Sequence, residues 1–201
     1  MKILKIWNDS PSERQAEEIA AALEAGEIMV YPTDTLYALG CDALNPKAVD
    51  RLCSIKHINP AKMNLSVICA NISMAAEYAR IDNKAFRIIK NNTPGPFTFI
   101  LKALSSLPRA FKGRKVVGVR IPDCYTDRMI SEKLGRPILT SSIEYDDDDY
   151  AVNPDLIRER YENQADIFVE GEEGSTEPST IVDLSEGTPE IIRQGKGFLT
   201  D

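Results

Sequence analysis

Apolar residues recur at helical spacing in several stretches of the chain, and the first of these stretches has the clearest boundary signals. In residues 12–25, Ser12 can cap a helix, acidic residues fill the first turns, and Gly26 marks the end. The same spacing predicts further helices over residues 46–54, 73–80, 82–91, 126–134 and 154–161.

Short apolar runs lie between these helices and predict strands. The runs at 97–102 and 116–121 are apolar at almost every position, which is typical of strands covered on both faces. The other predicted strands are the N-terminal segment and residues 28–32, 65–70, 137–141, 167–169, 180–184 and 190–193. Because helices and strands alternate throughout, the sequence predicts an α/β fold with a mixed sheet. No repeat, low-complexity linker or break in composition interrupts it, so we expect a single domain over residues 1–201.

The composition is that of an ordinary globular protein, with 43% hydrophobic and 27% charged residues. No apolar run approaches the roughly 18 residues of a membrane span, and the N-terminal apolar stretch is too short for a signal-peptide core. The cysteines, Cys41, Cys53, Cys69 and Cys124, are widely spaced in apolar surroundings, which favours buried thiols in a reducing compartment. We therefore expect a cytoplasmic protein. The single histidine, His57, argues against a zinc site, and we expect no metal-ligand set.

The charge of the chain is acidic overall but unevenly distributed. A net charge of −7 and a pI of about 4.9 argue against a general nucleic-acid coat. Much of the acidity lies in residues 146–149 and 170–177, and the first of these runs predicts a solvated loop. A local cationic cavity is compatible with the total, because the field at a site depends on nearby groups.

Hydroxyl side chains gather beside predicted strands in three places, at residues 33–35, 140–142 and 179–180. Hydroxyls at strand ends suit the binding of an amino acid or a nucleotide. They are equally suited to capping a helix, and the residues alone leave both interpretations open. The Pro94-Gly95-Pro96 turn fixes the chain direction, and we interpret it as structural.

Arg120 and Arg193 each close an otherwise apolar predicted strand. Burying an arginine without an anionic partner is costly. That partner is either an internal Asp or Glu, or the carboxylate or phosphate of a ligand, for which the planar guanidinium is well shaped. The sequence contains neither a P-loop nor a G-x-G-x-x-G fingerprint, so it supports neither of those nucleotide-binding folds.

Five ordered segments together give the chain a resemblance to a known family. They are Tyr31-Pro32-Thr33-Asp34-Thr35-Leu36-Tyr37-Ala38-Leu39-Gly40, Pro94-Gly95-Pro96-Phe97-Thr98, Val117-Gly118-Val119-Arg120-Ile121-Pro122, Pro178-Ser179-Thr180-Ile181-Val182-Asp183 and Ile192-Arg193-Gln194-Gly195. In this order and spacing the chain resembles the YrdC/YciO family, which includes the threonylcarbamoyl-AMP synthases, from about residue 28 to 197. The resemblance implies an open, twisted mixed sheet with helices packed around it and a concave cationic cavity.

The resemblance also implies an activity. Synthases of this family are nucleotidyltransferases that convert ATP, L-threonine and bicarbonate to threonylcarbamoyl-adenylate and pyrophosphate, for threonylcarbamoyladenosine formation in tRNA. The implied cofactors are ATP and Mg²⁺, and the implied macromolecular partners are double-stranded RNA or tRNA and other tRNA-modification proteins. The reaction needs no protein nucleophile, so positioning and charge neutralisation would supply most of the rate.

Two sets of site residues carry over by resemblance. The residues implied to bind L-threonine are Thr33, Thr35, Arg120, Thr140 and Ser179. The residues implied to bind the nucleotide are Lys56, Ser142 and Arg193. Arg120 would pair with the threonine carboxylate, and Lys56 and Arg120 would be the catalytic cations.

Two departures from the synthase pattern place the chain closest to the YciO branch. The Lys-x-Arg pair of the synthases reads Lys56-His57-Ile58 here, and their Ser-x-Asn motif reads Ser142-Ile143-Glu144. Isoleucine cannot neutralise a phosphate, and a glutamate that pointed inward would repel it. We therefore expect weak synthase activity. A second hypothesis is a paralogue that binds nucleotide or double-stranded RNA, or hydrolyses the adenylate, without synthesis. A third hypothesis is a structural domain whose cavity no longer binds a ligand.

Overall fold

The computed structural model of the chain describes residues 1–59, 66–107 and 115–200, which form an α/β fold. Its helices are α1 (Glu13–Glu24), α2 (Pro46–Ile55), α3 (Ile72–Tyr78), α4 (Asn83–Asn92), α5 (Tyr125–Leu134), α6 (Asp149–Val152) and α7 (Pro154–Tyr161). Its strands are β1 (Lys2–Lys5), β2 (Met29–Tyr31), β3 (Ala38–Asp42), β4 (Ser66–Ile68), β5 (Ala79–Arg80), β6 (Phe97–Ala103), β7 (Val116–Arg120), β8 (Ile138–Ser142), β9 (Ile167–Glu170), β10 (Thr180–Asp183) and β11 (Glu190–Arg193).

The strands form one mixed sheet in the order β1-β9-β2-β3-β8-β4-β7-β6-β10-β11, with β5 added against β6. The pairs β1–β9, β2–β9, β4–β7 and β6–β10 are parallel. The remaining pairs are antiparallel. In the described part of the chain the sheet is open, with β1 and β11 at its edges. The predicted α/β class with a mixed, open sheet is confirmed.

Apolar residues cover both faces of the sheet, which explains the continuous apolar runs in its strands. Successive residues of a strand point to opposite faces. In β2, Met29 and Tyr31 join Leu23 of α1 in one buried cluster, whereas Val30 joins Leu52 of α2 in the other. Burying a Leu or Val side chain stabilises the fold by roughly 1.5–3 kcal/mol, so both faces contribute to stability.

The boundaries of α1 follow from its capping residues. The Gln15 N–H donates to Ser12 Oγ at 3.2 Å, and the Ser12 N–H donates to Gln15 Oε1 at 3.0 Å, which completes a capping box. Beyond the last turn, Gly26 adopts a φ of +94°, a left-handed conformation that favours glycine. The predicted cap and stop residues are confirmed.

Two stretches of backbone differ from prediction because of strand pairing. The helix predicted over 73–80 ends at Tyr78, since Ala79–Arg80 pairs with β6 as β5. Residues Ala38–Asp42 were not predicted as a strand, yet they form β3, which is paired on both sides by β2 and β8. In both stretches, pairing with neighbouring strands stabilises an extended conformation that the local sequence does not predict.

Two further segments differ in extent. The acidic run predicted as a solvated loop is helical in its last part, because α6 begins at Asp149. The strand predicted over 65–70 corresponds to β4, and Leu65 lies outside the described residues.

The four cysteines are buried as thiols, as predicted. Burial raises the pKa of Cys69 to about 12, so this thiol stays protonated at neutral pH. No helix within the described ranges is long and apolar enough to cross a membrane.

Candidate functional site

A cavity of about 180 Å³ lies across six strands that are consecutive in the sheet, from β8 through β4, β7, β6 and β10 to β11. Hydroxyl side chains dominate its lining: Ser66, Thr98, Thr140, Ser141, Ser142 and Ser179. Arg120 and Arg193 complete the polar lining, and Ile58 and Ile181 supply apolar surface. The cavity thus brings together five of the predicted site residues, which come from separate parts of the chain.

The cavity has room for these side chains because β7 carries a glycine where it passes between β4 and β6. Gly118 pairs with Ser66 of β4. A Cβ atom added at Gly118 would lie 2.5 Å from Ser66 Oγ and 3.1 Å from Thr98 Cγ2, closer than real Cβ atoms ordinarily approach. The glycine therefore allows hydroxyl side chains from both neighbouring strands to face the same space.

Arg120, at the end of β7, is 5% exposed and has an internal carboxylate partner. Its Nη2 donates to Asp34 Oδ1 at 2.5 Å and to Thr35 Oγ1 at 3.1 Å. Its Nε is buried and has no hydrogen-bond partner among the described residues. A buried donor without a partner costs about 1–3 kcal/mol, so the ion pair with Asp34 leaves part of the guanidinium unsatisfied.

The hydroxyl groups of Thr33 and Thr35 are used within their own loop. Thr33 Oγ1 donates to the Leu36 carbonyl at 2.8 Å and lies 3.0 Å from Thr35 Oγ1. Thr35 Oγ1 also accepts a hydrogen bond from Arg120 Nη2. Thr33 lines a neighbouring cavity of about 200 Å³ together with Asp9. Neither threonine is among the side chains that line the 180 Å³ cavity.

Arg193, at the end of β11, is exposed and donates to Ser179. Its Nη2 lies 2.7 Å from the Ser179 carbonyl and 3.3 Å from Ser179 Oγ, and its Nε lies 3.2 Å from the same carbonyl. Within the described ranges, no carboxylate pairs with Arg193. Partial burial lowers the pKa of the Arg193 guanidinium, and the positive charge of Arg120 lowers it further. The two arginines therefore repel each other across one cavity.

Thr140 is held in place by a buried tyrosine. Its Oγ1 lies 2.7 Å from Tyr31 Oη. Opposite Thr140 in β3, Gly40 leaves space for the tyrosine ring, since a Cβ there would lie 2.7 Å from Tyr31 Cε1. Burial raises the pKa of Tyr31 well above its usual value, so the phenol remains neutral. The Thr140 hydroxyl thereby has a fixed position at the cavity wall.

Lys56 is buried at the rim of the cavity and paired with Glu144. Its Nζ donates to the Ser142 carbonyl at 2.7 Å and lies 3.0 Å from Glu144 Oε1. The Lys56 side chain is 7% exposed and that of Glu144 is 65% exposed. Burial lowers the pKa of Lys56, and the glutamate opposes this effect. Glu144 thus faces the lysine, while Ile58 rather than Lys56 is part of the cavity lining.

Asp127, on α5, is fully buried close to this site. Neither of its carboxyl oxygens has a hydrogen-bond partner of ordinary geometry in the described part of the chain. Burial raises the pKa of Asp127 well above its usual value, the charge of Asp34 adds to the rise, and Arg120 opposes it. Among the described residues, no three His, Cys, Asp or Glu side chains are grouped so as to hold a metal ion.

Several residues around the cavity had no role in the sequence-based prediction: Asp34, Ser66, Thr98 and Asp127. Asp34 and Thr98 lie inside segments that carried the family resemblance, so a signal was present. Ser66 and Asp127 have no such signal, because only the pairing of distant strands and the packing of α5 bring them to the site.

Fold and site together define an α/β protein whose open mixed sheet carries a hydroxyl-lined cavity with two arginines. The family described as telomere recombination, Sua5_yciO_yrdC, matches residues 21–195 of the chain. The chain belongs to this Sua5/YciO/YrdC family, which confirms the resemblance found in the sequence.

Known relatives extend over nearly the whole chain. The uncharacterized protein YciO of Escherichia coli K12 is 35% identical over 195 residues, covering 96% of this chain and 94% of its own length. The crystal structure of E. coli YciO superposes with a TM-score of 0.89 at 34% identity and 98% coverage of both chains. P. abyssi Sua5 complexed with L-threonine superposes with a TM-score of 0.85 at 25% identity, covering 97% of this chain and 58% of that one.

Proposed function

We propose that the protein binds an adenylate together with an amino acid at the 180 Å³ cavity, which would enclose part of the ligand, as a divergent relative of the L-threonylcarbamoyl-adenylate synthases. The synthase reaction uses ATP, L-threonine and bicarbonate, with Mg²⁺ on the phosphates, and we expect it to be slow in this chain. The observation that carries the proposal is the meeting of Arg120 and Arg193 in one hydroxyl-lined cavity.

Two guanidinium groups in one cavity favour an anionic ligand. An anion between them would relieve their mutual repulsion and accept charge-assisted hydrogen bonds from a guanidinium. The hydroxyl groups of Thr140 and Ser179 would contact the neutral polar parts of the ligand. The similarity to P. abyssi Sua5, whose structure contains L-threonine, supports an amino acid as one of the two components.

Two features favour a second candidate function, binding or hydrolysis of the adenylate without synthesis. Ile58 places an aliphatic side chain in the cavity lining. Glu144 neutralises Lys56, which therefore offers little charge to a phosphate. Losing charged contacts to a transferring phosphoryl group costs a few kcal/mol of transition-state stabilisation, and hence a large factor in rate.

We extend the proposal to double-stranded RNA or tRNA, for which α4 offers a fitting surface. Lys84, Arg87 and Lys90 are exposed on this helix. No acidic residue occurs in the sequence between Asp82 and Asp123, although the whole chain has a net charge of −7. Phosphate contacts to such a cationic face would provide sequence-independent affinity.

The first test is nucleotide affinity in the Arg193→Ala variant. Removing the guanidinium charge and its hydrogen bonds to the phosphate should weaken AMP binding by roughly tenfold or more, measured by calorimetry. Arg14→Ala, on the exposed face of α1, makes the same change in charge outside the cavity and should leave the affinity unaltered. Equal AMP affinity in both variants and the wild type would refute the assignment of the cavity.

Pyrophosphate release separates the two candidate functions. The protein is incubated with ATP, bicarbonate and Mg²⁺, with and without L-threonine. Slow release that requires threonine supports synthesis. Tight AMP binding without threonine-dependent pyrophosphate supports the second candidate instead.

A further inference from the structure

Among the residues that the structure describes, three cations flank the cavity, and two of these are paired with carboxylates. Arg120 Nη2 lies 2.5 Å from Asp34 Oδ1, and Lys56 Nζ lies 3.0 Å from Glu144 Oε1. Arg193 has no carboxylate partner among the described residues and donates to Ser179 alone. These groups therefore sum to one positive charge.

Two other ionisable groups near the site do not change this sum. Asp127 is fully buried and is not part of the cavity lining, and burial raises its pKa, which favours the uncharged form. Lys196 is exposed, and its Nζ donates to the Asp34 carbonyl at 2.8 Å rather than lining the cavity.

We infer that the cavity selects nucleotides with a single negative charge on the phosphate over triphosphates, and that Glu144 is the residue that sets this preference. The inference rests on the proposed function, since it assumes that a nucleotide phosphate binds beside Arg193. A phosphodiester or a mixed anhydride of AMP has the required charge.

Charge balance supplies the physical reason. A phosphate brought into a partly enclosed site loses hydration, and only a matching cation compensates for that loss. Arg193 compensates for one charge. The further charges of ATP would meet the apolar side chain of Ile58 and two cations already neutralised by Asp34 and Glu144.

Glu144 is the partner that can be removed with little disturbance. Its side chain is 65% exposed, whereas Asp34 is buried with Arg120. In Glu144→Gln, Lys56 would keep its hydrogen bond to the Ser142 carbonyl, and no carboxylate would balance its charge in the absence of a ligand. The variant should therefore favour more highly charged nucleotides.

The test measures the affinities of three probes by calorimetry without Mg²⁺: the methyl ester of AMP, which carries one negative charge, then AMP and ATP. Wild type should bind ATP no more tightly than the ester. Glu144→Gln should gain on the order of tenfold in ATP affinity, with the ester changed by less than about threefold. Glu132→Gln makes the same charge change on the exposed part of α5, outside the cavity lining, and should match wild type.

The possible failures are distinguishable. If wild type binds ATP at least tenfold more tightly than the ester, and Glu144→Gln does not alter that ratio, the charge preference is wrong while the proposed function stands. If none of the three probes binds, both are wrong. An equal gain in ATP affinity in Glu132→Gln would overturn the role of Glu144, because net charge alone would then explain it.

Discussion

Asp127 places a carboxyl group where water does not reach it, beside an ion pair that is already balanced. Arg120 is neutralised by Asp34, so an ionised Asp127 would add an uncompensated charge to the protein interior. Burial and the charge of Asp34 accordingly raise the pKa of Asp127. In the unfolded chain the same carboxyl ionises above about pH 4.

This difference makes stability depend on pH. Between the unfolded and folded pKa values of Asp127, the folded state binds more protons, so the free energy of unfolding falls by about 1.4 kcal/mol per pH unit from this group. Asp127→Asn removes the titration. We expect the stability of the variant relative to wild type to rise as the pH increases above about 4, measured by denaturant unfolding across the pH range. A constant difference at all pH values would show that folding does not change the pKa of Asp127.

Some site residues can be predicted from the sequence immediately around them, and others cannot. Arg120 and Arg193 could be found from sequence because a charged residue at the end of an apolar strand is a local anomaly. Their partners could not be found in that way. Asp34 and Arg120 are 86 residues apart in sequence. They form an ion pair only because the fold brings the loop after β2 next to the end of β7.

At the scale of elements, the pairing of β7 with β4 and β6 controls the shape of the cavity. Gly118→Ala would push a methyl group against Ser66 Oγ and Thr98 Cγ2. We expect a loss of stability of about 1–3 kcal/mol, as for other overpacked positions, and weaker AMP binding. Thermal unfolding and calorimetry measure the two effects.

A double-mutant cycle shows whether this contact is the cause. Adding Ser66→Ala removes the nearest atom, so the double variant should recover part of the lost stability. Strict additivity of the two changes would contradict the packing explanation.

Helices and strands were predicted correctly where neighbouring residues determine them. They were missed where pairing with another strand determines them. The N-cap and the terminal glycine of α1 are signals that lie within the helix and its immediate flanks, and both ends were predicted. Strand β3 was missed because its residues, Ala38–Asp42, are extended through pairing with β2 and β8, and β8 comes from a distant part of the sequence.

On the scale of the whole molecule, positive charge is concentrated on α4 within an acidic protein. We expect a duplex RNA to bind through this helix and to remain bound at about 0.2 M salt. Combined Arg87→Glu and Lys90→Glu substitutions should weaken the gel shift by at least about tenfold and reduce its salt dependence. Arg14→Glu with Lys47→Glu makes the same change in net charge on other exposed helices and serves as the control. Equal losses in both variants would mean that net charge, and not α4, determines RNA binding.

Strand β11 supplies Arg193 from an edge of the sheet, and all four of its residues are exposed. Edge elements with few buried contacts open without global unfolding, so their backbone amides exchange with deuterium sooner than those of central strands. A ligand held by Arg193 would tie this strand to the interior and slow that exchange. Amide exchange in Glu190–Arg193 would thus report occupancy of the cavity directly, even for a ligand that the protein binds but does not transform.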